Sequence, residues 1–177
     1  MVELARREDV AAMAEISNWA AVHTSANLAL DPEPLAQWLA AYDATHERYP
    51  WLAARAAGRL EGFAKAGPHH VRGAYAWTAD TTVYAHPDCR GRGVGTALYA
   101  RLIELLEAQG FVTLCAGITG GNAASEALHA RFGFRRFGTL HRAGWKFGQW
   151  HDKGLWELAL RGEEAPGELR PVAAVMR

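Results

Sequence analysis

Arg90-Gly91-Arg92-Gly93-Val94-Gly95-Thr96 puts three glycines at alternate positions directly ahead of an amphipathic segment. Glycine lets the backbone turn tightly and leaves no side chain in a ligand's path. The first amides of a helix have no intrahelical acceptor, and the helix dipole adds partial positive charge there. A helix opening at Val94 therefore suits a phosphate or pyrophosphate, and Arg90 and Arg92 can add charge-assisted hydrogen bonds. The competing reading is a plain glycine-rich surface turn; the strand before it and the helix after it favour the anion site. Two familiar phosphate loops do not fit. A Walker A loop needs a lysine that is missing here. A dinucleotide loop needs Gly-x-Gly-x-x-Gly, whose last position falls on Thr96 counted from Gly91 and on Leu98 counted from Gly93. No acid closes the next strand to hold a ribose.

Other chemistry-bearing residues are scattered. His69 and His70 are adjacent but have no third ligand in sequence, and read as a polar loop. Cys89 and Cys115 form no Cys-x-x-Cys pair, so free thiols in a reducing compartment are expected and no metal site is. His151-Asp152 is either an oriented acid–base pair or an architectural one.

The elements that must position these residues are those of a mixed α/β chain. Val2 to Ala5 reads as a short strand and Glu8 to about Ala26 as a helix, with Val10, Met13 and Ile16 on one side. Asp31-Pro32 looks like an N-cap and first helical position for a helix carrying Leu35, Trp38, Leu39 and Tyr42. Strands are expected over Trp51–Ala57, Leu60–Ala66 and Ala74–Ala85, with a turn at Gly58 and a break at Gly67-Pro68. Val94, Leu98, Leu102 and Leu105 share a helical face over 94–109, and Gly110 ends that helix. Then come a strand over Val112–Ile118, a helix over Asn122–Phe132 closed by Gly133, and strands over Phe134–His141 and Leu155–Leu160. With 177 residues, one domain over 1–162 is expected, followed by an extended or partly disordered tail over 163–177.

Lysine plus arginine and aspartate plus glutamate number 19 each. A neutral chain has no general pull on nucleic acid or anionic membrane. The N-terminus carries acids and no apolar signal region, and no apolar run is long enough to span a bilayer. A cytoplasmic protein with no nucleic-acid or membrane partner is expected.

Arg90-x-x-Gly93-x-Gly95 resembles the coenzyme A loop of the GCN5-related N-acetyltransferase (GNAT) superfamily. The likeness extends to Thr81–Pro87 before it, and to Asn122 and Phe132-Gly133-Phe134 after it. A narrower resemblance rests on Ser17-Asn18-Trp19, Asn27, Arg48-Tyr49-Pro50-Trp51, Tyr75-Ala76-Trp77 and Ala143–Asp152. Together these are similar to the phosphinothricin acetyltransferase family over about residues 3 to 160.

That resemblance implies the GNAT fold: a mixed sheet of six to seven strands flanked by helices and splayed at the acetyl-CoA site. Backbone groups of Val83, Tyr84 and Ala85 would pair with the pantetheine arm, and Gly91, Arg92, Gly93, Val94, Gly95 and Thr96 would hold the pyrophosphate. Asn122 would lie near the sulfur. Asp80 stands where the family usually has a glutamate as general base, one methylene longer. His129, two turns beyond Asn122, takes the place of the superfamily's thiolate-protonating tyrosine. Arg72, Tyr75 and Trp77 match the segment lining the acceptor site, with Arg72 placed to meet a carboxylate. Leu28 stands where a phenylalanine is common, a departure that reshapes the acceptor pocket. The implied activity is transfer of acetyl from acetyl-CoA to the amine of a small amino-acid-like acceptor such as phosphinothricin, methionine sulfone or methionine sulfoximine, without a metal. The late aromatics Trp145 and Trp150 are consistent with a homodimer. A protein N-terminal acetyltransferase and a coenzyme-binding module without turnover are the alternatives.

Overall fold

The computed structural model describes residues 1–176. One seven-stranded sheet carries every strand: β1 (Val2–Leu4), β2 (Trp51–Ala56), β3 (Arg59–Pro68), β4 (Thr78–Ala85), β5 (Thr113–Thr119), β6 (Arg135–Lys146) and β7 (Gln149–Ala159). Their spatial order is β1-β2-β3-β4-β5-β7-β6. All neighbours are antiparallel except β4 and β5. That parallel step needs a crossover, which is α3 (Val94–Gln109).

Side-chain alternation divides the core between the two faces. Leu52, Ala54, Ala64 and Ala66 pack with Leu98, Leu102 and Leu105 of α3. Trp51, Ala53 and Phe63 point the other way, onto Val10, Met13 and Ile16 of α1 (Val10–His23) and Trp38 and Tyr42 of α2 (Leu35–Thr45). Gly62 is needed where β3 meets β4 and α3. A Cβ there would lie 2.6 Å from the Tyr84 carbonyl and 2.9 Å from Val94.

Several boundaries differ from the sequence reading. The second helix starts at Leu35, not at Asp31-Pro32. Residues before proline avoid helical dihedrals, which excludes both Asp31 and Glu33. Asn18 also clamps Glu33 through two backbone hydrogen bonds, at 2.8 and 3.0 Å. Residues 74–77 are not strand: Gly73–Tyr75 is a single 3₁₀ turn. β3 runs through the expected break to Pro68, because a proline at a strand end forfeits only one ladder bond. β6 and β7 extend into a long hairpin, closed by Phe147 and Gly148 at positive φ.

The tail is extended in part but fastened to the body. The buried side chain of Gln109 donates to the carbonyls of Arg48 and Arg170, both at 2.8 Å. Short α5 (Val172–Val175) then buries Val172 and Val175. No helix among the described residues is long and apolar enough to cross a membrane.

Lys146 of β6 is 4% exposed. Its ammonium donates to the carbonyls of Ala21, Asn27 (2.6 Å) and Ala29 (2.7 Å), tying the loop after α1 to the hairpin. Burial pushes its pKa down. Lys146→Met would leave those carbonyls without their donor. It is expected to lower unfolding free energy by about 3 kcal/mol in urea titration; no change would show that water replaces the ammonium.

Candidate active site

β4 and β5 pair only over Thr78–Asp80 and Thr113–Cys115. Beyond Asp80 the two strands part, while β4 stays fully paired to β3. The backbone of Thr81–Ala85 therefore offers an edge free of β5 inside the sheet. The Thr81 hydroxyl bridges the fork, 3.1 Å from the Cys115 carbonyl and 2.7 Å from the Tyr99 hydroxyl. A cavity of about 770 Å³ fills the wedge.

Eleven of the residues expected at the coenzyme and catalytic sites line that cavity: Val83, Tyr84, Ala85, Arg90, Gly91, Gly93, Val94, Gly95, Thr96, Asn122 and His129, with Thr81 beside them adding one the sequence did not single out. The glycine loop adopts the expected geometry. Gly91 and Gly93 sit at φ +74° and +80°, and Gly93 caps α3 in the left-handed region, which frees the first helical amides. Asn122 caps α4 (Ala123–Arg131), accepting from the Ser125 amide at 3.2 Å. The Arg90 guanidinium lies 4.9 Å over the Trp19 ring. Arg92 differs from expectation. Its side chain turns away to Glu61 (3.3 Å) and the Cys89 sulfur (3.6 Å), which leaves its backbone to the loop.

His129 is buried among Tyr99, Phe134 and Trp156. Its Nδ1 lies 2.7 Å from the Ser125 carbonyl. A carbonyl can only accept, so Nδ1 carries a proton, and in the neutral ring Nε2 keeps its lone pair. Burial lowers its pKa, which favours the neutral ring. The proton-donating role implied by resemblance needs the imidazolium, which burial disfavours.

Asp80 opens on a second, smaller cavity of about 240 Å³ that shares Thr81, Thr82, Ala116 and Gly117 with the first. The two spaces meet where the strands part. Asp80 is exposed, and its carboxylate accepts from His69 Nδ1 at 2.7 Å. The polar-loop reading of His69 is thereby corrected. The register Gly67↔Asp80 brings the residue just after β3 back beside Asp80. His69, Asp80 and Cys115 place ligand-type atoms within 4.8 Å of one another, a grouping that their separation in sequence hides. Burial, with Asp80 and Glu157 nearby, pushes the Cys115 thiol up to about 11. It stays protonated at neutral pH, whereas metals are held by thiolate.

The residues expected to line the acceptor site are less concentrated. Tyr75 packs against His69 and His70, with centroids at 5.9 and 4.8 Å. Arg72 is exposed on the same turn, and neither residue lines either of these two cavities. The Trp77 indole donates to the Gly167 carbonyl at 2.7 Å, holding the tail rather than facing the wedge. Leu28 lies over Gly144, 3.1 Å from where a Cβ would stand. His151 donates through Nε2 to the Lys146 carbonyl at 3.0 Å, and Asp152 accepts from His141 and the Arg142 amide. That segment is structural here.

The Acetyltransferase (GNAT) domain family matches residues 2–155. The chain belongs to this family. Its N-acetyltransferase relatives include the phosphinothricin N-acetyltransferase of Streptomyces viridochromogenes, 38% identical over 94% of this chain and 91% of that protein. The L-methionine sulfoximine/L-methionine sulfone acetyltransferase of Pseudomonas paraeruginosa is 38% identical over 86% of this chain and 90% of that protein. A GNAT phosphinothricin acetyltransferase of Sinorhizobium meliloti, solved in complex with acetyl-CoA, superposes with a TM-score of 0.89 at 28% identity, covering 95% of this chain and 93% of that one. The GNAT fold expected from the sequence is the fold observed, and this GNAT protein is an acetyltransferase enzyme that uses acetyl-CoA.

Proposed function

We propose that this acetyltransferase acetylates the amine of a small amino-acid-like acceptor of the phosphinothricin, methionine sulfone or methionine sulfoximine type. The observation that carries this reading is the meeting of two cavities at the fork of β4 and β5, one beneath the anion loop and the other holding Asp80. The names of the relatives support the acceptor class.

The wedge suits acetyl-CoA. The loop amides at Gly91–Thr96 face a pyrophosphate, and the free β4 edge at Val83–Ala85 accepts an extended pantetheine arm as a further strand. When bound, the coenzyme supplies an acetyl thioester. Asp80 takes a proton from the acceptor's ammonium, directly or through one water, and His69 holds the carboxylate in place. The freed amine attacks the thioester carbon, and a β4 amide beyond Asp80 donates to the developing oxyanion. The carbon–sulfur bond then breaks, and the leaving thiolate takes up, through water, the proton that the attacking nitrogen loses. His129 Nε2 accepts a hydrogen bond within the wedge. Tyr75 packs on His69, and the Arg72 amide donates to His70.

The small second cavity favours a free amino acid over a polypeptide N-terminus. The dimer expected from the sequence is supported by Trp145, Phe147 and Trp150, each more than half exposed at the hairpin tip. A cytoplasmic location is in keeping with the two free cysteines.

The test is thiol release from acetyl-CoA across phosphinothricin, methionine sulfone, methionine sulfoximine and ordinary amino acids. Release with one or more confirms the acceptor class. Silence across the panel with coenzyme still bound would move the acceptor to a peptide.

A further inference from the structure

Lys153 of β7 lays its side chain flat across β5. A Cβ on Gly117 would stand 1.9 Å from its Cε and 2.7 Å from its Nζ, so only glycine permits this path. The lysine lines the second cavity with Asp80, Phe137 and Leu155. Among the described residues it enters no ion pair. The carboxylate next to it in sequence, Asp152, is taken by His141 and the Arg142 amide. The small cavity thus presents a carboxylate at one side and an uncommitted ammonium at another.

Their spacing follows from the sheet. Asp80 pairs with Cys115, and Gly117 lies two residues further along the same face. With strands about 4.8 Å apart at the last pair and a rise of about 3.3 Å per residue, the Cα atoms of Asp80 and Gly117 are at least roughly 8 Å apart, since the strands part beyond that pair. An α-amino acid bridges a similar span. One hydrogen bond from its ammonium, the N–Cα–C unit and one hydrogen bond to its carboxylate add to about 8 Å.

Resting on the function proposed above, we propose that Lys153 holds the α-carboxylate of the acceptor while Asp80 holds its amine. The zwitterion is read at both ends, and an amine without an adjacent acid leaves the lysine unpaired in the cavity. Lys153 selects and positions the acceptor, and the coenzyme is bound elsewhere. Arg72, which lines neither cavity, is not required for this contact.

The experiment compares wild type, Lys153→Met and Lys153→Arg on methionine sulfone and on its decarboxylated amine, 3-(methylsulfonyl)propylamine, with acetyl-CoA affinity measured alongside. Lys153→Met should raise KM for methionine sulfone by about 10-fold or more, leave KM for the amine within about 2-fold, and leave coenzyme affinity unchanged. Lys153→Arg should restore most of the discrimination, since it keeps the charge. If Lys153→Met does not fold, Lys153→Gln takes its place. Equal KM changes on both acceptors, or none on either, would overturn the assignment while the acetyltransferase reading stands. Wild-type protein that binds coenzyme and acetylates no amino acid would instead overturn the acceptor class on which the assignment rests.

Discussion

Gly93→Asp is expected to abolish acetyl-CoA binding, with at least a 100-fold loss of affinity in titration calorimetry. Gly93 caps α3 at φ +80°, and a Cβ there would meet nothing within 4 Å. The site has room for a side chain, so the loss would not come from a clash within the protein. The left-handed backbone costs roughly 1 kcal/mol for most residues, and less for aspartate and asparagine. What remains is a carboxylate placed among amides whose task is to meet a diphosphate. Gly93→Asn separates charge from bulk: it tolerates the same backbone and carries no charge, so it should retain more affinity than aspartate. A melting temperature near that of the wild type would show that the fold survives both changes. Unchanged affinity in Gly93→Asp would remove this loop from the coenzyme site.

The same loop shows what was legible in the sequence. Gly93 and Gly110 both take left-handed cap positions, and the expected helix over 94–109 is the helix observed. Its apolar period is set by burial of one face, a local signal. Asn122 and Gly133 bracket α4 for similar local reasons. Where local and tertiary signals compete, the sequence reading slips. Asp31-Pro32 has the chemistry of a helix start, but Asn18 holds Glu33 from another helix. Trp77 matches a site segment, yet its indole is taken by a tail residue 90 positions away. The His69–Asp80 contact depends on strand register. A hairpin alignment pairing Gly67 with Asp80 would have revealed it, but the expected break at Gly67-Pro68 ended that strand two residues too soon. Lys153 was hidden more deeply. Its place at the site depends on a glycine 36 residues earlier, on a strand that is its neighbour only in the folded sheet.

Asp80→Ala is expected to lower kcat by about 100-fold or more with acetyl-CoA affinity intact. The acceptor's amine is mostly protonated at neutral pH, with a pKa of roughly 8 or above, and cannot attack until a proton leaves. Asp80 is the carboxylate that lines the smaller cavity, and it does not line the larger one beneath the coenzyme loop. Chemistry and coenzyme binding should therefore separate in this variant. Without the carboxylate, solvent must remove the proton, so the variant's rate should climb with pH toward the amine's own pKa and narrow the gap to wild type. Asp80→Glu should recover most of the activity, since it restores a carboxylate one methylene closer to the thioester. His69→Gln should cost only a few-fold: it removes the donor that orients Asp80 at 2.7 Å but leaves the base itself. Wild-type turnover in Asp80→Ala would remove Asp80 as the base. A loss in His69→Gln as large as that in Asp80→Ala would instead make the pair, and not the carboxylate alone, the unit that accepts the proton.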